Sequence, residues 1–160
     1  VRLSGKKTAI PDTKDNELLQ NAAVFVTLTQ NGRLRGCIGT TVAQKPLVEA
    51  VAEMAIAAAF EDPRFPKLTA TEIKNTRIEI SILSPMRRVK SADEIKPDVH
   101  GVVVRRGARS GLFLPQVWEH FSGKEDFLSE LCHQKAGLEP TAWKDSSTEL
   151  YIFTVFKFEE

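Results

Sequence analysis

The chain has 160 residues, 42% hydrophobic and 27% charged, with a formal net charge of +1. That suits one globular domain of ordinary size, and the near-zero charge excludes a global field for nucleic acid or an anionic membrane. Two cysteines, Cys37 and Cys132, form neither a disulfide framework nor a zinc-type spacing, and the longest apolar run, around Ile56 to Phe60, is far too short to span a bilayer. Reduced thiols and a cytoplasmic location are therefore expected.

Residues 1–21 are polar, carry Ser4-Gly5-Lys6-Lys7 and Ile10-Pro11-Asp12, and read as an extended arm; no basic-then-apolar signal segment opens the chain. Val24 to Gln30 is a strand pattern running into Asn31-Gly32, the strongest short-range hairpin signal, because a type I′ turn needs positive φ at both central residues. The returning strand is Leu34-Arg35-Gly36-Cys37-Ile38-Gly39. A two-residue loop sets Leu28 opposite Arg35 and Val26 opposite Cys37. Alternation then points Arg35 and Cys37 to one face; a one-residue slip reverses it.

Pro46 opens a helix to about Phe60, charged only at Glu49 and Glu53 and otherwise aliphatic, which predicts burial nearly all round. Asp62-Pro63-Arg64-Phe65-Pro66 ends it. Thr69 with Glu72 fits a capping box. Arg77 to Leu83 alternates as a half-buried strand, and Pro85 to Pro97 reads as a connector. Gly101–Arg105 and Arg109–Leu114 form a second hairpin turning at Arg106-Gly107-Ala108. A short helix over Pro115–Phe121 precedes another from about Lys124 to Lys135, capped by Ser122 with Glu125 and stopped by Gly137. Thr148 to Phe158 reads as one long strand, apolar on both faces and so central in its sheet.

The chemistry-bearing residues gather around the first hairpin. A cysteine acts as thiolate, favoured by a nearby cation or by backbone N–H groups. Cys37 has Arg35 two residues away and Gly36 and Gly39 as bare backbone beside it, so it reads either as a nucleophile or as a small packed residue. Asp62 and Arg64 read either as an ion pair stapling the turn or as the rim of a cleft, with Arg64 gripping a carboxylate or phosphate. Glu79 is either a base or half of a cross-strand ion pair. Arg87, Arg88, Lys90, Arg105, Arg106 and Arg109 are either solvated loop charges or a basic patch; RNA binding would also need exposed aromatics. The three histidines have no metal-site spacing, and no cofactor is indicated.

The motifs Leu34-Arg35-Gly36-Cys37-Ile38-Gly39, Ala59-Phe60-Glu61-Asp62-Pro63-Arg64-Phe65 and Ile78-Glu79-Ile80-Ser81-Ile82-Leu83-Ser84-Pro85 are followed by His100-Gly101-Val102-Val103-Val104, Ser110-Gly111-Leu112-Phe113-Leu114-Pro115 and Lys135-Ala136-Gly137-Leu138. In this order, over about Ala23 to Phe158, the chain resembles the AMMECR-type domain, also called AmmeMemoRadiSam system protein A. The resemblance implies an α+β fold with an antiparallel sheet packed by helices and a smaller attached lobe. On that basis residues 1–160 form a single AMMECR-type domain, with part of 86–145 forming the small lobe, and a helix is expected ahead of Val1. It implies association with Memo-type proteins and radical SAM enzymes, not a reaction. It also singles out His100 as the imidazole that a Cys37 nucleophile would need.

Two functions follow. One is an enzyme or enzyme subunit with catalytic Cys37 and His100 and a substrate site of Arg35, Gly36, Gly39, Asp62, Arg64 and Glu79. The other is a binding or adaptor module in which the same cleft takes a small anion, a peptide or a protein partner and the thiol only packs. An RNA binder is a lesser alternative.

Overall fold

Asn31 and Gly32 take φ of 50° and 74°, and the chain reverses there between β1 (Ala23–Gln30) and β2 (Arg33–Gly39). The computed structural model containing this hairpin describes residues 12–160; the first half of the expected arm lies outside the described residues. The loop is two residues long, with Gln30 opposite Arg33, but the register shifts by one between Thr29 and Leu28. Beyond that bulge Leu28 faces Gly36, Thr27 faces Cys37 and Val26 faces Ile38. Arg35 is thus the extra residue, which corrects the expected Leu28–Arg35 and Val26–Cys37 pairs. A bulge inserts one residue and flips the alternation beyond it.

The fold is α+β. One antiparallel sheet has the order β2-β1-β3 (Thr76–Leu83)-β8 (Val155–Glu159), and a second has β4 (Arg87–Val89)-β7 (Glu149–Phe153)-β5 (Gly101–Arg106)-β6 (Arg109–Phe113). The chain divides into two compact units: the residues to Leu83 with Phe156–Glu160, and Ser84–Val155.

In the first unit, α1 (Leu47–Phe60) packs on the face of β1, β2 and β3 (Thr76–Leu83) that carries Val26, Leu28, Ile38, Ile78 and Ile80. Ala57, Ala58 and Ala59 are buried at this contact. A Cβ on Gly36 would stand 2.2 Å from the Ala58 carbonyl oxygen, so helix and strand approach over bare backbone. The first half of α1 is only half-buried and Ile56 is exposed, which corrects the expectation of burial all round. Pro46 is the N-cap and the helix begins at Leu47, one residue after the predicted start.

In the second unit, β5 (Gly101–Arg106) and β6 (Arg109–Phe113) form the expected hairpin about Gly107, at φ 59°. The connector contains an unexpected short strand, β4 (Arg87–Val89), paired with β7 (Glu149–Phe153). Beneath the sheet lies α2 (Lys124–Glu130), continued by a π-helical turn over Leu131–Lys135. Phe127, Leu128, Leu131 and Cys132 are fully buried, and Trp118 stacks on Phe127 at 3.5 Å. Gly123, not Ser122, is the N-cap of α2.

The single long C-terminal strand is corrected to two. Thr154 leaves the ladder between β7 and β8 (Val155–Glu159), donating its N–H to Ser84 Oγ and accepting from the Ser84 N–H. β7 is interior, as its apolar composition predicts, whereas β8 is an edge among the described residues.

Candidate functional site

Among the described residues β2 is the other edge of its sheet, and the Asp62-Pro63-Arg64 turn hydrogen-bonds to it at Cys37. Because Cys37 stands opposite Thr27 in the shifted register, its N–H and carbonyl are free of β1. Asp62 Oδ2 accepts the Cys37 N–H at 2.9 Å, and Arg64 Nη2 donates to the Cys37 carbonyl at 3.2 Å. The two side chains thereby act as a one-residue strand partner. They also bind each other, Arg64 Nη2 to Asp62 Oδ2 at 2.8 Å and Nε to Oδ1 at 3.0 Å, while Oδ1 takes the Arg64 N–H. Arg64 and these N–H groups hold the Asp62 carboxyl well below the usual range, against the opposing effect of burial. Asp62 is buried with its acceptors engaged; Arg64 is more than half exposed, over the Phe65 ring.

The Cys37 thiol is half-buried, with Sγ 3.3 Å from Thr27 Oγ1. Thr27 also faces Glu79 on β3, so Cys37, Thr27 and Glu79 form a row across the sheet face opposite α1. Glu79 Oε1 lies 3.3 Å from Lys157 Nζ.

Arg35 is spent elsewhere, not on the thiol. Its Nε donates to Glu72 Oε1 at 2.9 Å and Nη2 to Oε2 at 3.2 Å. Glu72 also accepts the Thr69 N–H, half of the expected capping box, and bonds Gln30. Arg35 foremost, with Thr69, lowers the Glu72 carboxyl to about 2. Arg35 is 8% exposed, and its Nη1 is buried without a hydrogen-bond partner. With Gln30, Asn31, Arg33 and Leu34, Arg35 lines an open cavity of about 460 Å³ at the hairpin tip. Sequence reasoning missed Glu72 as the partner of Arg35, since nothing in the spacing links residues 37 apart; it missed Arg33 as well.

The glycines are corrected as ligand-facing backbone. The space over Gly36 holds the Ala58 carbonyl, and that over Gly39 holds the Phe25 ring, 2.3 Å from where a Cβ would stand. His100 belongs to the second unit, so neither unit alone contains both thiol and imidazole. Its Nδ1 accepts the Lys96 N–H at 3.0 Å, and burial, then Lys96 and Arg87, push the imidazole pKa down. His120 and His133 are exposed.

A family model described as AMMECR1 matches residues 2–158. The chain belongs to the AMMECR1 family. Relatives include Protein NEQ441 of Nanoarchaeum equitans, 41% identical over 99% of this chain and 92% of its own length, and Protein MK0488 of Methanopyrus kandleri, 42% identical over 98% and 80%. The crystal structure of the uncharacterized protein PH0010 from Pyrococcus horikoshii matches with a TM-score of 0.84 at 39% identity, over 98% of this chain and 82% of that one.

In this AMMECR1 chain the basic cluster of the second unit is largely neutralised. Arg87 pairs with Glu94, Arg88 and Arg105 with Glu149, and Arg106 with Glu139 and Asp145. Arg109 donates to the Gly137 carbonyl. Phe113 and Trp118, the aromatics near this cluster in the sequence, are buried and so present no face for base stacking. Among the described residues no group of three His, Cys, Asp or Glu side chains could hold a metal ion, and no helix is long and apolar enough to cross a membrane.

Proposed function

We propose that this chain is a binding module that seats a carboxylate or phosphate group of a ligand or partner at the tip of its first hairpin, against Arg33 and Arg35. The observation that supports this is Arg35 Nη1, a buried guanidinium nitrogen without an acceptor, on a residue that lines the 460 Å³ cavity. An unsatisfied buried donor is costly, so an acceptor supplied by a ligand is rewarded. Glu72 occupies the Nε–Nη2 edge of the fork and leaves the Nη1 side for a second anion. Arg33 is exposed, has no acceptor among the described residues and adds an uncompensated charge at the same cavity. Since Nη1 is sealed, the ligand displaces part of the cavity wall, where Leu34 is an exposed apolar side chain. An acidic peptide segment of a protein partner fits this chemistry, and the Memo-type and radical SAM proteins implied by the resemblance are the partners to test first.

Calorimetric titration with inorganic phosphate and with succinate tests this. Arg33→Ala and Arg35→Ala are expected to weaken binding by about tenfold or more, the worth of a charge-assisted hydrogen bond. Cys37→Ala is expected to bind as the native chain does. Absence of binding to the native chain, or loss with Cys37→Ala alone, overturns the proposal.

A second reading, thiol chemistry at Cys37, is favoured by one observation: the thiol stands in a polar row with Thr27 and Glu79, and the Arg64 guanidinium holds the backbone carbonyl of the same residue. Rapid alkylation of Cys37 at neutral pH in the native chain, with the buried Cys132 as control, would support it. Protection of Cys37 would remove it.

A further inference from the structure

Strand β8, Val-Phe-Lys-Phe-Glu, is an edge among the described residues, and it is unusually apolar for one. Phe156 is 62% exposed and Phe158 51%, their rings packed edge to face at 4.7 Å. Scattered exposed apolar residues are ordinary, but two aromatics on an open strand edge form a template for another strand. We infer that β8 pairs antiparallel with β8 of a second copy about a two-fold axis at Phe158, joining the two sheets into one.

Backbone direction and charge together select this register. The Glu160 N–H donates to the Ile78 carbonyl on β3. Backbone groups alternate along a strand, so Phe158 and Phe156 also point their N–H and carbonyl groups to β3, whereas Lys157 and Glu159 point theirs outward. A two-fold pair must therefore join outward residues to outward residues. A centre at Lys157 sets Lys157 against itself; a centre at Glu159 does the same with glutamate; like charges directly opposite are destabilising. A centre at Phe156 sets Lys157 opposite Val155 and leaves Glu159 unmatched. A centre at Phe158 sets Lys157 opposite Glu159 twice, exchanges main-chain hydrogen bonds in both pairs, and brings the two Phe158 rings side by side.

A lysine on an edge usually guards it against pairing; here Glu159 cancels the guard for a second copy of this chain. Lys157 bonds Glu79 of its own sheet, so its side chain lies on the Glu79 face and the phenylalanines lie on the opposite one. The interface is five residues long and at the small end of stable contacts, so the dimer is concentration-dependent.

Sedimentation velocity over a range of concentrations tests this on the whole chain. The native protein is expected to move from monomer towards dimer as concentration rises. Glu159→Lys leaves the Glu79–Lys157 contact in place but sets lysine against lysine, and Lys157→Glu sets glutamate against glutamate. Each variant alone is expected to be monomeric. Their equimolar mixture is expected to form a heterodimer, because both cross-strand pairs again join opposite charges. A native protein that stays monomeric at every concentration, or a Glu159→Lys variant that dimerises as well as the native chain, overturns the inference. So does a mixture that stays monomeric although each variant retains native circular dichroism.

Discussion

Arg35 and Glu72, 37 residues apart, meet in a two-pronged ion pair, Nε to Oε1 at 2.9 Å and Nη2 to Oε2 at 3.2 Å. The pair ties the bulged strand β2 to the turn before β3 and leaves one guanidinium nitrogen without a partner. The proposed binding site depends on that asymmetry.

Acid should loosen the first unit in a defined window. Glu72 is lowered to about 2, and Asp62 is also held below its ordinary value. A carboxyl depressed in the folded state stabilises above its unfolded pKa and loses that contribution as pH falls through the folded value. Stability should therefore decline from about pH 5 to about pH 2. Glu72→Gln is expected to lower stability at pH 7 and flatten the acid limb, as read by urea unfolding across pH.

Gly36→Ala tests the close approach of α1. The added methyl would meet the Ala58 carbonyl oxygen, a backbone atom that cannot swing away. Overpacking of this kind costs about 1–3 kcal/mol, which should appear as a lower urea midpoint with an unchanged slope. Gly32→Ala, where nothing lies within 4 Å but φ is 74°, should cost less than Gly36→Ala, through backbone strain alone.

Protonation of His100 should destabilise the second unit. Its Nδ1 must stay unprotonated to accept the Lys96 N–H, and its pKa is pushed down. The unfolded chain therefore binds the proton at higher pH, and stability falls as pH drops below about 6.5. Trp118 donates its indole N–H to the His100 carbonyl at 2.7 Å, so its fluorescence reports on this turn. His100→Gln is expected to flatten the trend between about pH 7 and pH 5.

The sequence showed the hairpins clearly, because Asn31-Gly32 and Gly107 carry their own backbone requirement. It did not show the register. A bulge at Arg35 has no local signature, so the cross-strand partners expected of Cys37 and of Arg35 both failed. Asp62 and Arg64 were legible as a pair, and the ion pair stapling the turn is present; that it also caps the backbone of Cys37 depended on the same hidden bulge. The last strand read as one because Thr154 is an ordinary strand residue; only its bonds to Ser84 show where the ladder breaks. The glycines of the motif were visible, but the atoms filling the space above them come from Ala58 and Phe25, contacts that no spacing predicts.

On the proposed reading the hairpin tip, not the thiol, receives a ligand. Amide chemical-shift mapping during titration with succinate and phosphate tests it most directly. Shifts are expected to concentrate at Gln30, Asn31, Arg33, Leu34 and Arg35, to saturate with ligand and to vanish in Arg33→Ala. Shifts confined to Cys37 and residues 62–64, or none at any concentration, would contradict it.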